Sequence, residues 1–435
     1  MIYSYLFDGN LKIIFRCSGF MIAFKKTNRS VVIMAIIVFS VVTLSKCISE
    51  EDNGAYKKNK IGYSDFTGSA SCLGCHKTIY EDHINTGHYQ TSQPASGKNI
   101  NGSFEQGHNA FFFNALENVS MEKREDGYYQ VEYIMGKEKR KSKFDITVGS
   151  GKKGQSYLSW KNNSLIQMPV TYFTPESTWT SSPGFHPRKI VFNRVVTSRC
   201  LECHSTYFQK MSDEDKHPEE FDKKNIIYGI DCEKCHGPGK EHVNFHTTNP
   251  EVKEAKYIVN AGKLSRQISI DLCALCHSGR LNKSLPSFSF QAGDKLSDYF
   301  DRPDTLIPGY VMDVHGNQLG LLSQSKCFIS SEMTCQSCHN VHKKEQDQLE
   351  VFSQRCITCH SAGKSKLCGL INSVGNIITK NCIDCHMPKE PSQSIVVYLE
   401  GAAIPTPAKL RTHYITIYKG ETEKVLNFLK KDSAK

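Results

Sequence analysis

The chain has 435 residues, 39% of them hydrophobic and 23% charged, with 18 cysteines and a formal net charge of +10. The length allows two or three domains, and the cysteine count is out of place in a reducing cytosol, which points to an exported protein. Residues 1–46 carry six basic side chains and one acidic, so only +5 remains without them, and the basic balance does not argue for a nucleic-acid partner.

Residues 1–20 look like a misplaced start, with the true start at Met21. From there Lys25, Lys26 and Arg29 precede an apolar run from Val31 to Leu44, the pattern of an export signal. It ends at Leu44-Ser45-Lys46-Cys47. This is similar to a bacterial lipoprotein signal in which Cys47 becomes the lipidated first residue and lipid anchor, although Lys46 stands where a small residue is usual. An uncleaved membrane anchor is the alternative, and the apolar run of about 14 residues is short for a span. The reading is a signal peptide over 1–46 and a polar, Lys-rich tether over 47–70.

Cys72-Leu73-Gly74-Cys75-His76 opens the next segment, 71–90. It is the first of seven C-x-x-C-H pentapeptides; the others are Cys200/Cys203/His204, Cys232/Cys235/His236, Cys273/Cys276/His277, Cys335/Cys338/His339, Cys356/Cys359/His360 and Cys382/Cys385/His386. This is the attachment pattern of c-type haem: two thiols add to the vinyl groups of one porphyrin and the adjacent His supplies the proximal nitrogen to iron. Chance would give roughly 0.03 such motifs in a chain of this composition, so seven predict seven covalent haems c. Zinc does not explain them, because a structural zinc site does not demand His after the second Cys each time. A bis-His ferric haem with ionised propionates carries about −1, which takes the mature protein below neutrality.

A haem-free insert over 91–195 reads as β. Tyr129, Val131, Tyr133 and Met135 alternate, a charged turn follows, then Phe144, Ile146 and Val148 alternate; Asn162-Asn163 predicts a hairpin turn. Gly149, Gly151 and Gly154 spell G-x-G-x-x-G, but the strand-like Gln155 to Trp160 follows where a dinucleotide site needs a helix. Residues 196–280 form a three-haem segment, 281–334 a connector, 335–390 a second three-haem segment, and 391–435 a C-terminal tail with a terminal amphipathic helix over Glu421 to Lys431.

The second axial position decides what each haem does: a second His makes it a low-spin electron carrier, an open position lets it bind substrate. Seven of the 17 His are proximal, so ten remain for seven sites; full bis-His ligation is permitted, not required. His342 follows His339 by three residues, one turn on the same side, and cannot reach the opposite face of its own haem. As a ligand it must serve a neighbour, and the same holds for His242 after His236. The ligand reading is favoured for His88, His242, His342, His315 and His413. It stays open for His83, His108, His186 and His246, and His217 falls in a charged, solvent-facing run. Met387 lies on the wrong side of its haem to ligate. Cys327 and Cys368 lie outside the motifs and are either a disulfide or two thiols.

Three passages, Cys232 to His242, Met333 to His342 and Cys382 to Pro388, resemble the multihaem cytochromes c of the cytochrome c-554 type, relatives of the pentahaem nitrite reductases and octahaem hydroxylamine oxidoreductases. The resemblance covers most of residues 70–415, including Phe144 to Trp160 and Pro183-Gly184-Phe185 in the insert. It implies a mainly α multihaem fold, with little regular secondary structure around stacked haems and the β-rich haem-free insert added. It also implies distal ligation by His88, His242, His315, His342 and His413. The chain has no C-x-x-C-K, so a Lys-ligated nitrite-reductase site is not supported. The expected function is an exported, lipid-anchored heptahaem cytochrome on the periplasmic or cell-surface side of a bacterial membrane. It would relay electrons between other redox proteins or from a membrane quinol-oxidising complex. The alternative is a multihaem reductase or oxidase of a small nitrogen or sulfur compound at one five-coordinate haem, with catalytic residues unassigned.

Overall fold

The structure is a computed structural model and describes residues 3–7, 10–14, 61–212, 214, 216–301, 311–361 and 368–433, with side chains described from residue 61 to 429. The export signal from Met21, the lipidation site Cys47 and most of the tether lie outside the described residues. Residues 1–60 and 61–435 are two separate units. The first contributes one antiparallel hairpin, Tyr3–Phe7 with Asn10–Ile14. Among the described residues no helix is long and apolar enough to cross a membrane.

The expectation of a mainly α fold is overturned. Sheet recurs throughout the second unit, inside the haem-bearing segments as well as before them. The strands Ser205–Lys210 and Phe221–Tyr228 pair between the second and third motifs, and Lys389–Val397 pairs with Thr406–Arg411 after the seventh. The helices are short: Ser198–His204, Cys232–His236 and Ile383–His386 span only their motifs. The physical reason is the motif itself. It needs about one turn of helix to bring two thiols and an imidazole to one side, and between motifs nothing in the sequence sustains a 3.6-residue apolar period.

Residues 92–195 build two sheets. A four-stranded meander runs Ala110–Phe112, Glu117–Arg124, Gly127–Ile134, Lys137–Lys143. A five-stranded antiparallel sheet has the order Arg194–Val195, Ser164–Gln167, Ser156–Lys161, Ile146–Val148, Ser92–Pro94. The Asn162-Asn163 turn is there, with Asn162 at φ +56° and Lys161 paired to Ser164. Tyr129 and Val131 are buried, but so are Gln130 and Glu132, because both faces of the strand centre are covered. Met135 is 73% exposed in the turn at φ +50°, not on the strand. The glycine triplet makes a turn between strands: Gly149 has φ +96°, and a Cβ there would meet the Gly154 carbonyl at 2.9 Å.

Phe111, Val119, Met121, Phe144, Tyr157 and Trp179 fill the core between these sheets. A second core joins the five-stranded sheet to the haem-bearing part: Ile146, Leu158 and Leu165 pack with Leu201, Tyr207, Phe208 and Phe221. Leu201 lies inside the Cys200 motif and is 2% exposed, so the sheet holds that motif's helix directly. A third core gathers Ile270, Leu275, Tyr299, Leu319, Leu322 and Phe328 around the Cys273 helix. The terminal helix runs Lys419–Ser433, longer at both ends than expected.

Candidate haem-binding site

Several motifs are set on their short helical turns by carboxylates that accept backbone N–H groups. Asp231 caps the Cys232–His236 helix, its Oδ1 accepting from Cys232 N at 2.6 Å. Its neighbour Glu233 accepts from Thr67 N at 2.9 Å, Gly68 N at 2.8 Å and Gly239 N at 2.7 Å. This clamps the approach to Cys72 onto the third motif. Burial raises the pKa of Glu233, and these three donors oppose the shift. At the second motif Glu219 accepts from the N–H and hydroxyl of Ser198. Glu202, fully buried, pairs with Arg199 at 2.9 Å and accepts from Phe288 N at 2.7 Å. Arg199 also reaches Cys203 Sγ at 3.2 Å and the Leu275 carbonyl at 3.0 Å, tying the second motif to the fourth.

The sequence treats the seven motifs alike, and the structure does not. Cys359, expected as an attachment thiol together with Cys356, is exposed, whereas Cys356 is half-buried. The cause is its place on the helix Leu349–Cys359. The buried side of that helix is marked by Ser353; Cys356, one turn on, follows that side, while Cys359 closes the last turn and has rotated away from it. His360, the expected proximal ligand beside it, is exposed as well. The first motif has the same character, with Cys75 and His76 both exposed, and Cys200 is exposed at the start of the second. At the other extreme Cys385 is buried. The first and sixth motifs therefore present a thiol and an imidazole at the surface, and the third, fourth and seventh hold theirs further inside.

Four of the imidazoles expected as proximal ligands are oriented through Nδ1, which would leave Nε2 for iron. His236 Nδ1 faces the Val259 carbonyl at 2.8 Å, His277 Nδ1 the Gln318 Oε1 at 2.9 Å and His386 Nδ1 the Thr416 carbonyl at 2.9 Å. His204 Nδ1 faces the Thr91 hydroxyl at 3.2 Å.

Three of the imidazoles expected as proximal ligands have a second imidazole from another segment as ring neighbour. His277 and His88 have ring centroids 6.1 Å apart, His236 and His342 6.1 Å, and His339 and His413 6.2 Å. Two imidazoles sharing one iron, at about 2 Å per nitrogen, have centroids about 6 Å apart, so these pairs fit a haem held from both faces. The charge of His315 reaches His204 and, after burial, opposes its protonation. Burial pushes His88, His204 and His413 down to about 4 and lowers His277, His315, His339 and His342 as well. At neutral pH these rings keep the free lone pair that iron requires.

Residues 155–237, which include the second and third motifs, match the family model described as cytochrome c554 and c-prime. Over those residues the chain is similar to a c-type cytochrome family. No curated protein matches it. Among solved structures, the outer cell wall cytochrome OcwA is 16% identical, with 83% of this chain and 81% of that one covered and a TM-score of 0.49. An undecahaem cytochrome from the S-layer of Carboxydothermus ferrireducens is 14% identical, with 84% of this chain and 54% of that one covered and a TM-score of 0.40.

The fold treats the other expected ligands differently. His242, on the helix Lys240–Thr248, has its Nδ1 2.8 Å from the Lys256 carbonyl, but its ring neighbour is His246 at 4.6 Å. Among the described residues no ring contact joins it to a proximal His. His108, His186 and His217 are exposed. His83 is buried, with Nε2 3.1 Å from the Ile230 carbonyl and its ring 6.2 Å from His342. Cys327 and Cys368 are both free thiols. Sequence reasoning missed Arg199; its place four residues before Cys203, one turn away, was the available signal.

Proposed function

We propose that this cytochrome carries seven haems c, one on each C-x-x-C-H motif, and relays electrons between redox partners outside the cytoplasm. The observation that carries the reading is the set of three cross-segment imidazole pairs, His88/His277, His342/His236 and His413/His339, at 6.1–6.2 Å. A haem with both axial positions taken has no place for substrate and is suited to outer-sphere transfer. The seven Cys pairs would fix each haem in place, and His76, His204, His236, His277, His339, His360 and His386 would supply the proximal nitrogens. His88, His342 and His413 would close three distal faces, and His315 that of the Cys200 site. His242 would serve a neighbour of its own motif.

Haem, once bound, supplies the one-electron chemistry at iron; the chain's own residues position it and tune it. Arg199, Lys234 and Arg355 bring positive charge beside attachment cysteines, which favours the reduced state of the nearest site. The cores around Leu201 and Ile270 keep water from the helices that carry the motifs. The exposed attachment residues Cys75, His76, Cys359 and His360 suit sites where electrons enter or leave.

The same reading places a signal peptide over 1–46 and a lipid anchor at Cys47. Its supports are the apolar run Val31–Leu44 before Cys47 and the oxidising compartment that so many cysteines suit. Partners would be other redox proteins or a membrane quinol-oxidising complex.

The test is a pyridine haemochrome count with an EPR spectrum of the oxidised protein. Seven haems per chain and no stoichiometric high-spin ferric signal are expected. A stoichiometric high-spin signal would replace the relay by an enzyme acting at an open haem. For the anchor, Cys47→Ala should release the protein from membranes.

A further inference from the structure

We propose that Gln318 is a positioning residue for His277 and sets the potential of the haem on the Cys273 motif through the oxygen it holds against Nδ1. The inference rests on the reading of His277 as the proximal ligand of that haem, and adds the residue that tunes it.

The four imidazoles oriented through Nδ1 do not share one kind of partner. His236 and His386 face the main-chain carbonyls of Val259 and Thr416, which are there whatever side chain those positions carry. His204 faces the Thr91 hydroxyl, which can rotate to donate or accept. His277 faces a side-chain oxygen, Gln318 Oε1, at 2.9 Å. The other end of the same amide fixes that orientation. Gln318 Nε2 lies 3.3 Å from the Val314 carbonyl, a group that only accepts, so the amide NH2 points there and Oε1 points at His277. An amide oxygen carries no proton, so His277 donates from Nδ1–H and keeps the lone pair of Nε2 for iron.

The amide is held from both sides. Gln318 opens the short helix Gln318–Leu322, and Leu319 and Leu322 pack with Ile270 and Leu275 of the helix Arg266–His277. Just past that helix, Gly279 N donates to the Gly316 carbonyl at 2.6 Å. Gly279 has φ +81°, and a Cβ there would meet Asn317 Cγ at 2.9 Å. Glycine is what lets the loop before Gln318 approach the motif this closely. The far end of the loop is tied to the strand after the seventh motif. Asp313 accepts from the Ser392 hydroxyl at 3.1 Å, Gln393 N at 3.1 Å, Ser394 N at 2.8 Å and the Ser394 hydroxyl. These donors sit where the pairing of Lys389–Val397 with Thr406–Arg411 slips register between Pro391 and Val396, so the bulge is spent on Asp313.

An acceptor on Nδ1–H moves electron density toward Nε2 and makes the imidazole a stronger donor to iron, which favours the ferric state. A carboxylate accepts more strongly than an amide, and an apolar side chain does not accept at all. The potential of this site therefore follows the chemistry of residue 318, falling with a stronger acceptor and rising when the acceptor is removed.

The experiment uses the full-length, haem-loaded protein in a potentiometric titration followed by EPR. Gln318→Glu should lower the midpoint of one signal, and Gln318→Leu, which removes the acceptor, should raise the midpoint of that same signal, with the haem count unchanged. A side chain that only supports the fold does not give opposite signs in the two variants. Any other pattern, including shifts of one sign or no shift, overturns the proposal. Should the buried carboxylate prevent folding, Gln318→Leu is read with Gln318→Asn, whose shorter amide falls short of Nδ1. Both should then raise the same midpoint, and any other result overturns the proposal. Mass spectrometry of the proteolysed wild-type protein separates the two levels. A Cys273–His277 peptide without haem overturns the functional reading, whereas a haem-bearing peptide with midpoints that do not follow residue 318 overturns the role of Gln318 alone.

Discussion

His236 and His342 face each other with ring centroids 6.1 Å apart and planes 12° from parallel, although each belongs to a different attachment segment. His342 follows the Cys335 motif by one turn but faces His236, the expected ligand of the Cys232 motif. Under the proposed ligation these two segments would meet at one iron, with no covalent bond between them. Replacing His342 by Ala should leave the haem count unchanged and turn one low-spin ferric signal high-spin. Replacing it by Met should keep that site low-spin and raise its potential, read by redox titration of the visible bands.

Arg199 holds a fully buried carboxylate, Glu202, at 2.9 Å while also reaching Cys203 and the Leu275 carbonyl. Arg199→Ala would leave Glu202 charged and unpaired in the core, a loss of about 3–5 kcal/mol. Adding Glu202→Gln should recover part of that loss, since the buried charge is then gone. Chemical denaturation of the two variants measures both; equal destabilisation would show that the ion pair is not the source.

Glu345 pairs with Arg355 at 2.7 Å, and Arg355 in turn holds the Cys338 carbonyl. The Arg355 hydrogen bonds hold the Glu345 carboxyl below its ordinary value of 4.5. A carboxylate whose pKa is lower folded than unfolded stabilises the fold above its unfolded value and loses that contribution as pH falls through the folded one. The Tm advantage of wild type over Glu345→Gln should therefore be constant near neutrality and shrink as the pH drops below about 4.5. An advantage that does not change over this range would contradict it.

The C-x-x-C-H motifs were legible because their pattern is local: two thiols and an imidazole within five residues stand out in any sequence. How deeply each one sits was not legible. Cys356 and Cys359 are equivalent in the motif, yet only Cys359 is exposed, because burial depends on which side of the helix the rest of the chain covers. The Asn162-Asn163 hairpin and the rejected glycine triplet were legible, since turn chemistry depends on neighbours in sequence. The pairing of His88 with His277 was not, because nothing near either residue encodes a contact between segments so far apart. The mainly α expectation failed at Ser205–Lys210 and Lys389–Val397. Haem motifs need only one turn each, and the chain between them is free to pair as strands. Met135 shows the limit of alternation: it continues the period of Tyr129, Val131 and Tyr133 yet sits in the turn at φ +50°.

Leu201 is the point where the five-stranded sheet grips a haem-bearing helix. It lies between Cys200 and Glu202, is 2% exposed, and packs in the core that contains Ile146, Leu158, Leu165 and Phe221. Leu201→Ala removes the side chain from a site walled by strands that cannot collapse inward, so the loss should be about 2–5 kcal/mol. Because the neighbouring thiol Cys200 sits on the same turn, the variant should also show a broadened or shifted signal for that haem alone. A volume-conserving Leu201→Met should cost under about 1.5 kcal/mol and leave the spectrum unchanged. If Leu201→Ala destabilises without touching any haem signal, the sheet supports the fold but does not set the position of the Cys200 helix.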